Sequence, residues 1–326
     1  MPENAITTVN LTKVFGHFTA VDSLNLNVKS GELFGLLGPN GAGKTTCVRM
    51  LCTLLEPTRG TATVAGYDLR REAAEVRRRI GVVSDGVSLY KDLTIEENLK
   101  LLSTLYGLPS EVGQKRIREL LEMFNFRDRS KLLVRELSSG WTKKAMIIAA
   151  LVHDPKILFL DEVTSGLDPQ SAVALREFTR NLCDQGVTVI WTTHYMQEPE
   201  MICDRVGIIF EGGLIQIGTP ADLRQTVSEQ AVIEADSPRL ESVTIEKIQN
   251  LASVCKVTYD DPVLRITCIR KEDEEIEDKV VGLLVSSGAR IRAIGKKDPT
   301  LEEAFISLTG GEAEIDRFVE KSRRRT

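Results

Sequence analysis

Short apolar runs alternate along the first part of the chain with longer segments whose apolar residues recur at helical spacing. Three runs are continuously apolar or β-branched: residues 33–37, 157–160 and 187–192. Such runs are typical of parallel strands that are buried on both faces of a sheet. A helical pattern covers residues 94–126, and Thr94 followed by Glu97 predicts a capping box at its start. This alternation predicts an α/β domain that ends near residue 225.

After residue 225 the pattern changes to a different set of short strands and helices. Strands are predicted over residues 231–235, 255–259, 264–269 and 290–294, and helices over 243–251, 274–285 and 301–308. Apart from the last helix, these elements follow the order β-α-β-β-α-β, which is that of a ferredoxin-like unit. We therefore predict a small α+β accessory domain over residues 226–310, followed by a charged tail over residues 311–326.

Composition narrows the class of protein and its surroundings. Of the 326 residues, 42% are hydrophobic and 27% are charged, as in ordinary globular proteins. A net charge of −5 without a long basic stripe argues against nucleic acid as a partner. Six cysteines without a Cys-x-x-Cys pair favour buried free thiols in a reducing compartment. The longest apolar run, residues 145–152, is too short to span a membrane, so at a membrane another chain must do the spanning. We expect a cytoplasmic chain.

The most specific motif lies between the apolar run at 33–37 and an amphipathic segment at 47–55. It fits the pattern G-x-x-x-x-G-K-[ST] and comprises Gly38, Pro39, Asn40, Gly41, Ala42, Gly43, Lys44, Thr45 and Thr46. The glycines let backbone N–H groups point at an anion, while Lys44 can reach the β- and γ-phosphates. Thr45 can offer its hydroxyl to Mg²⁺, and the following helix adds its N-terminal dipole. The motif predicts a site for a nucleoside triphosphate and Mg²⁺.

A second group of residues narrows the choice among phosphate-loop enzymes. The run at 157–160 ends in Asp161, which is placed to hold the Mg²⁺ shell, and Glu162, which could polarise an attacking water. His194 follows the run at 187–192, whereas His17 and His153 are expected to be surface residues. Two further segments have recognisable sequences. Leu137-Ser138-Ser139-Gly140-Trp141 stands ahead of a helical run and upstream of the carboxylates, and Ser165-Gly166-Leu167-Asp168 follows the carboxylates.

In this order the motifs resemble those of the ATP-binding cassette (ABC) ATPases, the motor subunits of ABC transporters. The resemblance covers residues 4 to about 225. Residues 137–141 look like the family's signature, residues 165–168 look like its D-loop, and His194 stands at the switch histidine. The resemblance implies a P-loop NTPase fold with a mixed sheet core, an antiparallel β edge and a helical subdomain over about residues 86–150.

The resemblance also implies roles for individual residues and the cofactors ATP and Mg²⁺. Two copies of the chain face each other, and each ATP lies between the phosphate loop of one copy and the signature of the other. Phe15 stands where an aromatic ring stacks on adenine, with Val21 beside it. Glu162 and His194 are expected to be catalytic. Outside the phosphate loop, the residues expected to contact ATP are Phe15, Val21, Ser138, Gly140 and Asp168.

Two positions depart from the family pattern. After a predicted strand at 80–83, Asp85 stands where the family keeps a glutamine that senses Mg²⁺. A carboxylate there could bind Mg²⁺ directly but would repel the γ-phosphate. In the signature, Ser139 replaces a glycine and Trp141 replaces a glutamine; Ser139 costs little unless its φ is positive. The predicted metal ligands are Thr45, Asp161 and Asp85.

Residues 298–305 resemble the closing segment of ATPases for sodium export and drug resistance, whose permeases are separate membrane chains. The predicted function is therefore ATP hydrolysis that powers an exporter, by a homodimer at the inner face of the cell membrane. The alternatives are a regulatory or weakly hydrolytic cassette and a soluble ABC protein acting on ribosomes or DNA. One phosphate loop and no sustained heptads argue against the soluble protein. A kinase or GTPase would leave Ser138, Gly140 and His194 unexplained.

Overall fold

The computed structural model describes residues 3–84, 89–225, 230–269, 273–297 and 299–311. The chain divides into two compact units with a boundary after Pro220, and α8 (Pro220–Gln225) begins at that boundary. The strands of the first unit are β1 (Asn4–Phe15), β2 (Phe18–Leu24), β3 (Asn27–Lys29), β4 (Leu33–Leu37), β5 (Arg59–Val64), β6 (Tyr67–Asp68), β7 (Ile80–Val83), β8 (Ile157–Asp161), β9 (Thr188–Thr193), β10 (Arg205–Phe210) and β11 (Gly213–Gly218). Its helices are α1 (Lys44–Leu51), α2 (Ala73–Arg79), α3 (Ile95–Leu105), α4 (Ser110–Met123), α5 (Ser139–Ala150), α6 (Pro169–Asp184) and α7 (Gln197–Ile202).

A six-stranded mixed sheet forms the centre of the first unit, in the order β11-β10-β4-β9-β8-β7. β11 is antiparallel to β10 at one edge, and the other strands are parallel. Every residue of β4, β8 and β9 is buried, which confirms the interpretation of their uninterrupted apolar runs. Because parallel strands end at the same edge of a sheet, the polar residues that follow these three strands meet there.

An antiparallel sheet in the order β2-β1-β5-β6, with β3 also paired to β1, forms the predicted β edge. Three of its strands, β1, β2 and β3, precede the phosphate loop in the sequence. Backbone hydrogen bonds of Gly212 link β2 to the phosphate loop. The Asp22 N–H donates to the Gly212 carbonyl at 2.9 Å, and the Gly212 N–H donates to the carbonyl of buried Ala42 at 3.0 Å.

The helical region lies between β7 and β8 and contains α3, α4 and α5. The capping box predicted at Thr94 is present. The Glu97 N–H donates to Thr94 Oγ1 at 3.2 Å, and the Thr94 N–H donates to Glu97 Oε2 at 2.8 Å. Two reciprocal bonds thus satisfy backbone donors at the start of α3. Within the described part of the chain, no helix combines the length and apolar character needed to cross a membrane.

The second unit contains β12 (Gln230–Asp236), α9 (Ser242–Gln249), β13 (Val254–Asp260), β14 (Val263–Ile269), α10 (Asp273–Ser286), β15 (Ala293–Lys297) and α11 (Leu301–Leu308). Its sheet is antiparallel throughout, in the order β13-β14-β12-β15. Together with the β-α-β-β-α-β connection, this is the ferredoxin-like arrangement predicted from the sequence. The core includes Ile233 and Ile266 on the sheet and Val280 on α10, all fully buried.

The structure contradicts two predictions, the start of β15 and the exposure of His153. β15 begins at Ala293, not at residue 290, because its pairing with β12 runs from Ala293 opposite Asp236 to Lys297 opposite Val232. His153 is half-buried and not a surface residue. Its ring stacks on Tyr106 with centroids 3.7 Å apart, and Nε2 lies 2.9 Å from the carbonyl oxygen of Ile80. Burial lowers the pKa of His153 below its ordinary value, against the raising effect of the Ile80 carbonyl.

Candidate functional site

The phosphate loop connects β4 to α1 along a backbone path that requires glycine. Gly43 has a φ of 108°, and a Cβ at this position would lie 2.4 Å from the carbonyl oxygen of Ala20. A Cβ at Gly38 would lie 2.2 Å from the carbonyl oxygen of Ile209. Because α1 begins directly after the loop, at Lys44, the helix N-terminus adjoins the loop's backbone N–H groups. The local structure is that of an anion-binding loop.

The loop and the first turn of α1 line a cavity of 420 Å³. Its walls are Phe18, Ala20, Asn40, Gly41, Gly43, Lys44, Thr45, Thr46, Arg49, Ser84, Asp161 and Glu162. Among the described residues, the two predicted adenine contacts are not in these walls. Phe15 is 47% exposed and pairs with Phe18 across the turn from β1 to β2, whereas Val21 is fully buried. The aromatic ring in the cavity wall is Phe18, which the sequence analysis did not single out.

Lys44 lies at the floor of this cavity, with only 3% of its side chain exposed. Its ammonium group donates to the carbonyl oxygens of Gly38 at 2.7 Å and Pro39 at 3.0 Å. It also forms an ion pair with Glu162 Oε1 at 3.2 Å. Burial lowers the pKa of Lys44, while the negative charges of Glu162 and Asp161 act in the opposite direction. The cavity therefore holds a desolvated cation whose interaction with phosphate would be weakly screened.

Asp161 ends β8 and is joined to two hydroxyl groups. Its Oδ1 accepts a hydrogen bond from Thr192 Oγ1 at 2.5 Å and another from Thr45 Oγ1 at 3.3 Å. Asp161 and Thr192 are opposite each other in the parallel register of β8 and β9. The contact therefore follows from strand pairing and fixes the Asp161 carboxylate beside the first turn of α1.

Glu162 lies one residue beyond the strand, at a φ of 51° that non-glycine residues rarely adopt. Its N–H donates to the carbonyl oxygen and the hydroxyl of Thr192, at 3.2 and 3.1 Å. Its two carboxylate oxygens lie 3.2 Å from Lys44 Nζ and 3.2 Å from His194 Nδ1. The unusual backbone turns the Glu162 side chain into the space between the cavity lysine and the predicted switch histidine.

The residues present fit Mg²⁺. This ion prefers hard oxygen ligands and takes few from the protein, retaining waters and phosphate oxygens for the rest of its octahedron. The Thr45 hydroxyl and the Asp161 carboxylate, 3.3 Å apart, supply such oxygens beside the phosphate loop. No group of three or more His, Cys, Asp or Glu side chains within the described ranges could hold a metal by itself. The third predicted ligand, Asp85, lies outside the described residues.

The signature residues form the start of α5. Ser138 is the N-cap residue, and within the described helix its hydroxyl accepts no capping hydrogen bond. Ser139 is the first helical residue and has no positive φ, so the serine in place of glycine causes no backbone strain. Gly140 is buried, and a Cβ there would lie 2.8 Å from Ser171 Oγ. The substituted signature thus keeps an exposed serine and a helix N-terminus available to an anion.

Asp168 caps α6 beside the signature. One carboxylate oxygen accepts the Ser171 N–H at 2.9 Å and the other accepts the Ser171 hydroxyl at 2.6 Å. These two hydrogen bonds lower the pKa of Asp168. Because Ser171 also adjoins Gly140, this residue of α6 connects Asp168 of the D-loop to the signature.

Trp141 contributes packing that its family position did not indicate. Its ring meets Phe126 edge to face, with centroids 5.3 Å apart. The Arg129 guanidinium lies 3.9 Å from its centroid, and the Lys144 ammonium lies 4.7 Å from it. Cation–π contacts of this kind stabilise the aromatic side chain in one orientation. Trp141 therefore anchors the first turn of α5 to the segment before the signature.

Comparison with known proteins decides the family. The family model described as "ABC transporter" matches residues 21–165. The linearmycin resistance ATP-binding protein LnrL of Bacillus subtilis is 36% identical over 301 residues, covering 92% of this chain and 97% of that protein. The chain belongs to the ABC transporter ATP-binding proteins. The cassette therefore binds ATP and is an ATPase with the α/β P-loop NTPase fold, as the motifs predicted.

Two further likenesses extend this result. The Nod factor export ATP-binding protein I of Burkholderia lata is 34% identical over 312 residues, covering 96% of this chain and 99% of that protein. A dimeric structure of the ATP-binding cassette MJ0796 in a post-hydrolysis state, bound to ADP and phosphate, is 27% identical. It has a TM-score of 0.59 and covers 66% of this chain and 98% of that cassette. The linearmycin and Nod factor relatives thus match nearly the whole length of this chain, whereas the MJ0796 cassette matches about two thirds of it.

Proposed function

We propose that this ABC ATPase powers export through a separate membrane-spanning permease. Relatives that match over nearly the full chain are named for linearmycin resistance and for Nod factor export, which favours outward transport. In this proposal the chain is cytoplasmic and peripheral at the inner face of the cell membrane. ATP is the substrate, and Thr45 and Asp161 would hold Mg²⁺, which would neutralise charge on the phosphates.

The observation that carries the proposed hydrolysis is the position of Glu162 between Lys44 and His194, 3.2 Å from each. Glu162 accepts a proton from the attacking water as the water oxygen bonds to the γ-phosphorus. The bond from that phosphorus to the bridging oxygen breaks, and ADP leaves with the electron pair. Lys44 binds the β- and γ-phosphates, and His194 donates a hydrogen bond to the γ-phosphate.

The proposed second half of each site comes from another copy of the chain. Ser138 and Gly140 would contact the γ-phosphate held by the opposite phosphate loop, and Asp168 would line the same interface. The exposed Ser138 hydroxyl, which makes no cap hydrogen bond within α5, is suited to this role. The post-hydrolysis relative is itself described as dimeric. ATP then favours the closed pair, and its hydrolysis removes the contact that holds the pair together.

An apolar groove beside the helical region is the proposed contact for the permease. It has a volume of 260 Å³, and its lining includes Leu54, Leu89, Tyr90, Leu102, Tyr106 and Met146. Leu54 and Tyr90 are each 63% exposed, so the groove presents apolar surface to solvent. We place the docking surface at this groove, near Tyr90 and Leu93.

A mixing experiment tests the composite site. Lys44→Ala inactivates the phosphate loop, and Ser138→Arg blocks the exposed signature position without disturbing a buried group. Each variant alone is expected to be inactive. A mixed dimer of the two retains one site with a wild-type phosphate loop and a wild-type signature, so mixing restores activity. If mixing restores none while both variants remain folded, the two-copy site is wrong.

A further inference from the structure

A buried carboxylate lies behind the switch histidine and is not used by the chemistry proposed above. Glu198, on α7, is 6% exposed. Its Oε2 accepts hydrogen bonds from Thr193 Oγ1 at 2.7 Å and from the Trp191 indole N–H at 3.3 Å. Its Oε1 pairs with Arg176 of α6 at 3.5 Å. Burying a carboxylate is costly unless several donors satisfy it, and here three side chains do so.

The hydrogen bonds of Glu198 lead to the two residues that flank His194. Thr193 Oγ1 donates to Glu198 and also accepts the Tyr195 N–H at 3.0 Å. The Glu198 N–H donates in turn to the Tyr195 carbonyl at 3.3 Å. His194 is thus the residue between two neighbours that Glu198 holds. These contacts fix the turn that carries the imidazole towards Glu162.

This restraint matters because the imidazole is close to Glu162 but not aligned with it. His194 Nδ1 is 3.2 Å from Glu162 Oε2, yet it makes no hydrogen bond of acceptable geometry within the described structure. A small rotation of the turn would therefore decide whether the imidazole is oriented to donate a hydrogen bond to a γ-phosphate beside Glu162. Displacements of about 1 Å are enough to change catalytic rates about a hundredfold.

We propose that Glu198 is a positioning residue for His194, acting through the Thr193 hydroxyl and anchored to α6 by Arg176. Glu198 does not line the nucleotide cavity, so it takes no part in the chemistry itself. The proposal rests on the proposed role of His194 in hydrolysis. Loss of Glu198 should slow turnover while leaving ATP binding intact, because Glu198 is not among the residues that line the nucleotide cavity.

The same unit contains a matched control. Glu32 is also 6% exposed and also pairs with an arginine, Arg205, at 3.2 Å. It accepts the Lys29 N–H at 2.7 Å, but it contacts none of the proposed catalytic residues. Glu198→Ala and Glu32→Ala therefore remove equally buried carboxylates and should lower thermal stability to a similar extent. Only the Glu198 variant should affect turnover.

The decisive measurement is a comparison of kcat and KM for ATP in the full chain. Glu198→Ala should lower kcat about tenfold and change KM by less than about twofold, whereas Glu32→Ala should change neither beyond about twofold. Thr193→Val removes the bridging hydroxyl and should reproduce the loss in kcat. Thr193→Ser keeps the hydroxyl and should restore most of it.

The outcomes separate this proposal from the one on which it rests. If His194→Ala leaves kcat unchanged, the proposed role of His194 is wrong. If His194→Ala abolishes turnover but the Glu198 and Glu32 variants behave alike, the positioning role is overturned. Should Glu198→Ala fail to fold, the Thr193 pair decides, since equal kcat for the valine and serine variants contradicts the proposal.

Discussion

The phosphate-loop side and the signature side of this cassette differ in how many contacts their polar side chains make within one chain. Beside the phosphate loop, Lys44 and Asp161 are almost fully buried, and each contacts several partners. Glu162 connects Lys44 to His194. At the signature, Ser138 is exposed and its hydroxyl is not used to cap α5.

The contrast has a physical reason. A buried charge must have a partner inside the protein, so the charged groups of the phosphate-loop side are arranged before any ligand arrives. An uncharged hydroxyl and helix N-terminal N–H groups can be satisfied by water, so the signature side can present them at little cost. The chemistry is therefore concentrated on one side, and the other side is suited to receive an anion brought by a second molecule.

The largest expected effect follows from Glu162→Gln. Removing the base should lower kcat by about 10²–10⁴-fold. The change also removes the negative charge that pairs with Lys44, so ATP binding should persist and an ATP-bound dimer should accumulate. Steady-state hydrolysis and size-exclusion chromatography with ATP measure the two effects. Glu177→Gln, an exposed carboxylate on α6, is the control. Unchanged turnover and unchanged dimerisation in Glu162→Gln would show that the base is another residue.

Lys44→Ala should have the next largest effect. The substitution removes the only charge that the loop itself directs at the phosphates, and kcat should fall by about 10²–10³-fold. Nucleotide affinity, measured by titration calorimetry, should fall as well. Lys100→Ala removes a surface ion pair on α3 and should leave both quantities unchanged. Retention of full ATP affinity in Lys44→Ala would contradict the assignment of the cavity.

On the signature side, Ser138→Ala should be milder. It removes one hydrogen bond to the γ-phosphate, so kcat/KM should fall about tenfold. Because Ser138 is exposed and does not cap α5 with its side chain, thermal stability should not change. A stability loss without a rate loss would mean that this serine is structural, and the contrast between the two sides would disappear.

Trp141→Ala should affect stability more than chemistry. It removes the edge contact with Phe126 and the contacts with Arg129 and Lys144, at a cost of about 2 kcal/mol. Urea unfolding measures this cost, with Val112→Ala, an exposed apolar residue on α4, as control. An unfolding free energy equal to that of the wild type would show that Trp141 does not anchor α5.

The smallest expected effect concerns His153, which lies just beyond the far end of α5. Burial lowers its pKa in the folded chain, so the unfolded chain binds the proton more readily. The stability that depends on neutral His153 is complete above the unfolded pKa of about 6.5 and is lost as pH falls below it. His153→Gln should reduce the difference in melting temperature between about pH 7.5 and about pH 5.5. His17→Gln, an exposed histidine, should leave that difference unchanged.

Much of the fold followed from local pattern. Uninterrupted apolar or β-branched runs predicted β4, β8 and β9 because a strand covered on both faces favours such residues at every position. The ferredoxin-like order of the second unit was also predicted. The start of β15 was not, because its limits are set by pairing with β12 and not by its own residues.

The residues of the candidate site were only partly predicted from the sequence. The phosphate loop, Asp161, Glu162 and His194 carry recognisable spacing, and the structure brings all of them together. Thr192 and Glu198 carry no such signal. Thr192 reaches Asp161 because their strands are adjacent in the sheet, and Glu198 reaches Thr193 because α7 folds back on the end of β9.

By itself the sequence determined which chemical groups this protein has, since glycine spacing, Lys44 and the paired carboxylates are local properties of the chain. Only the tertiary structure decided which oxygen faces which nitrogen. The turn of Glu162 between Lys44 and His194 and the partners of Glu198 depend on strand register and helix docking. The contacts of Glu162 join residues far apart in sequence, and those of Glu198 form because α7 packs back on the end of β9.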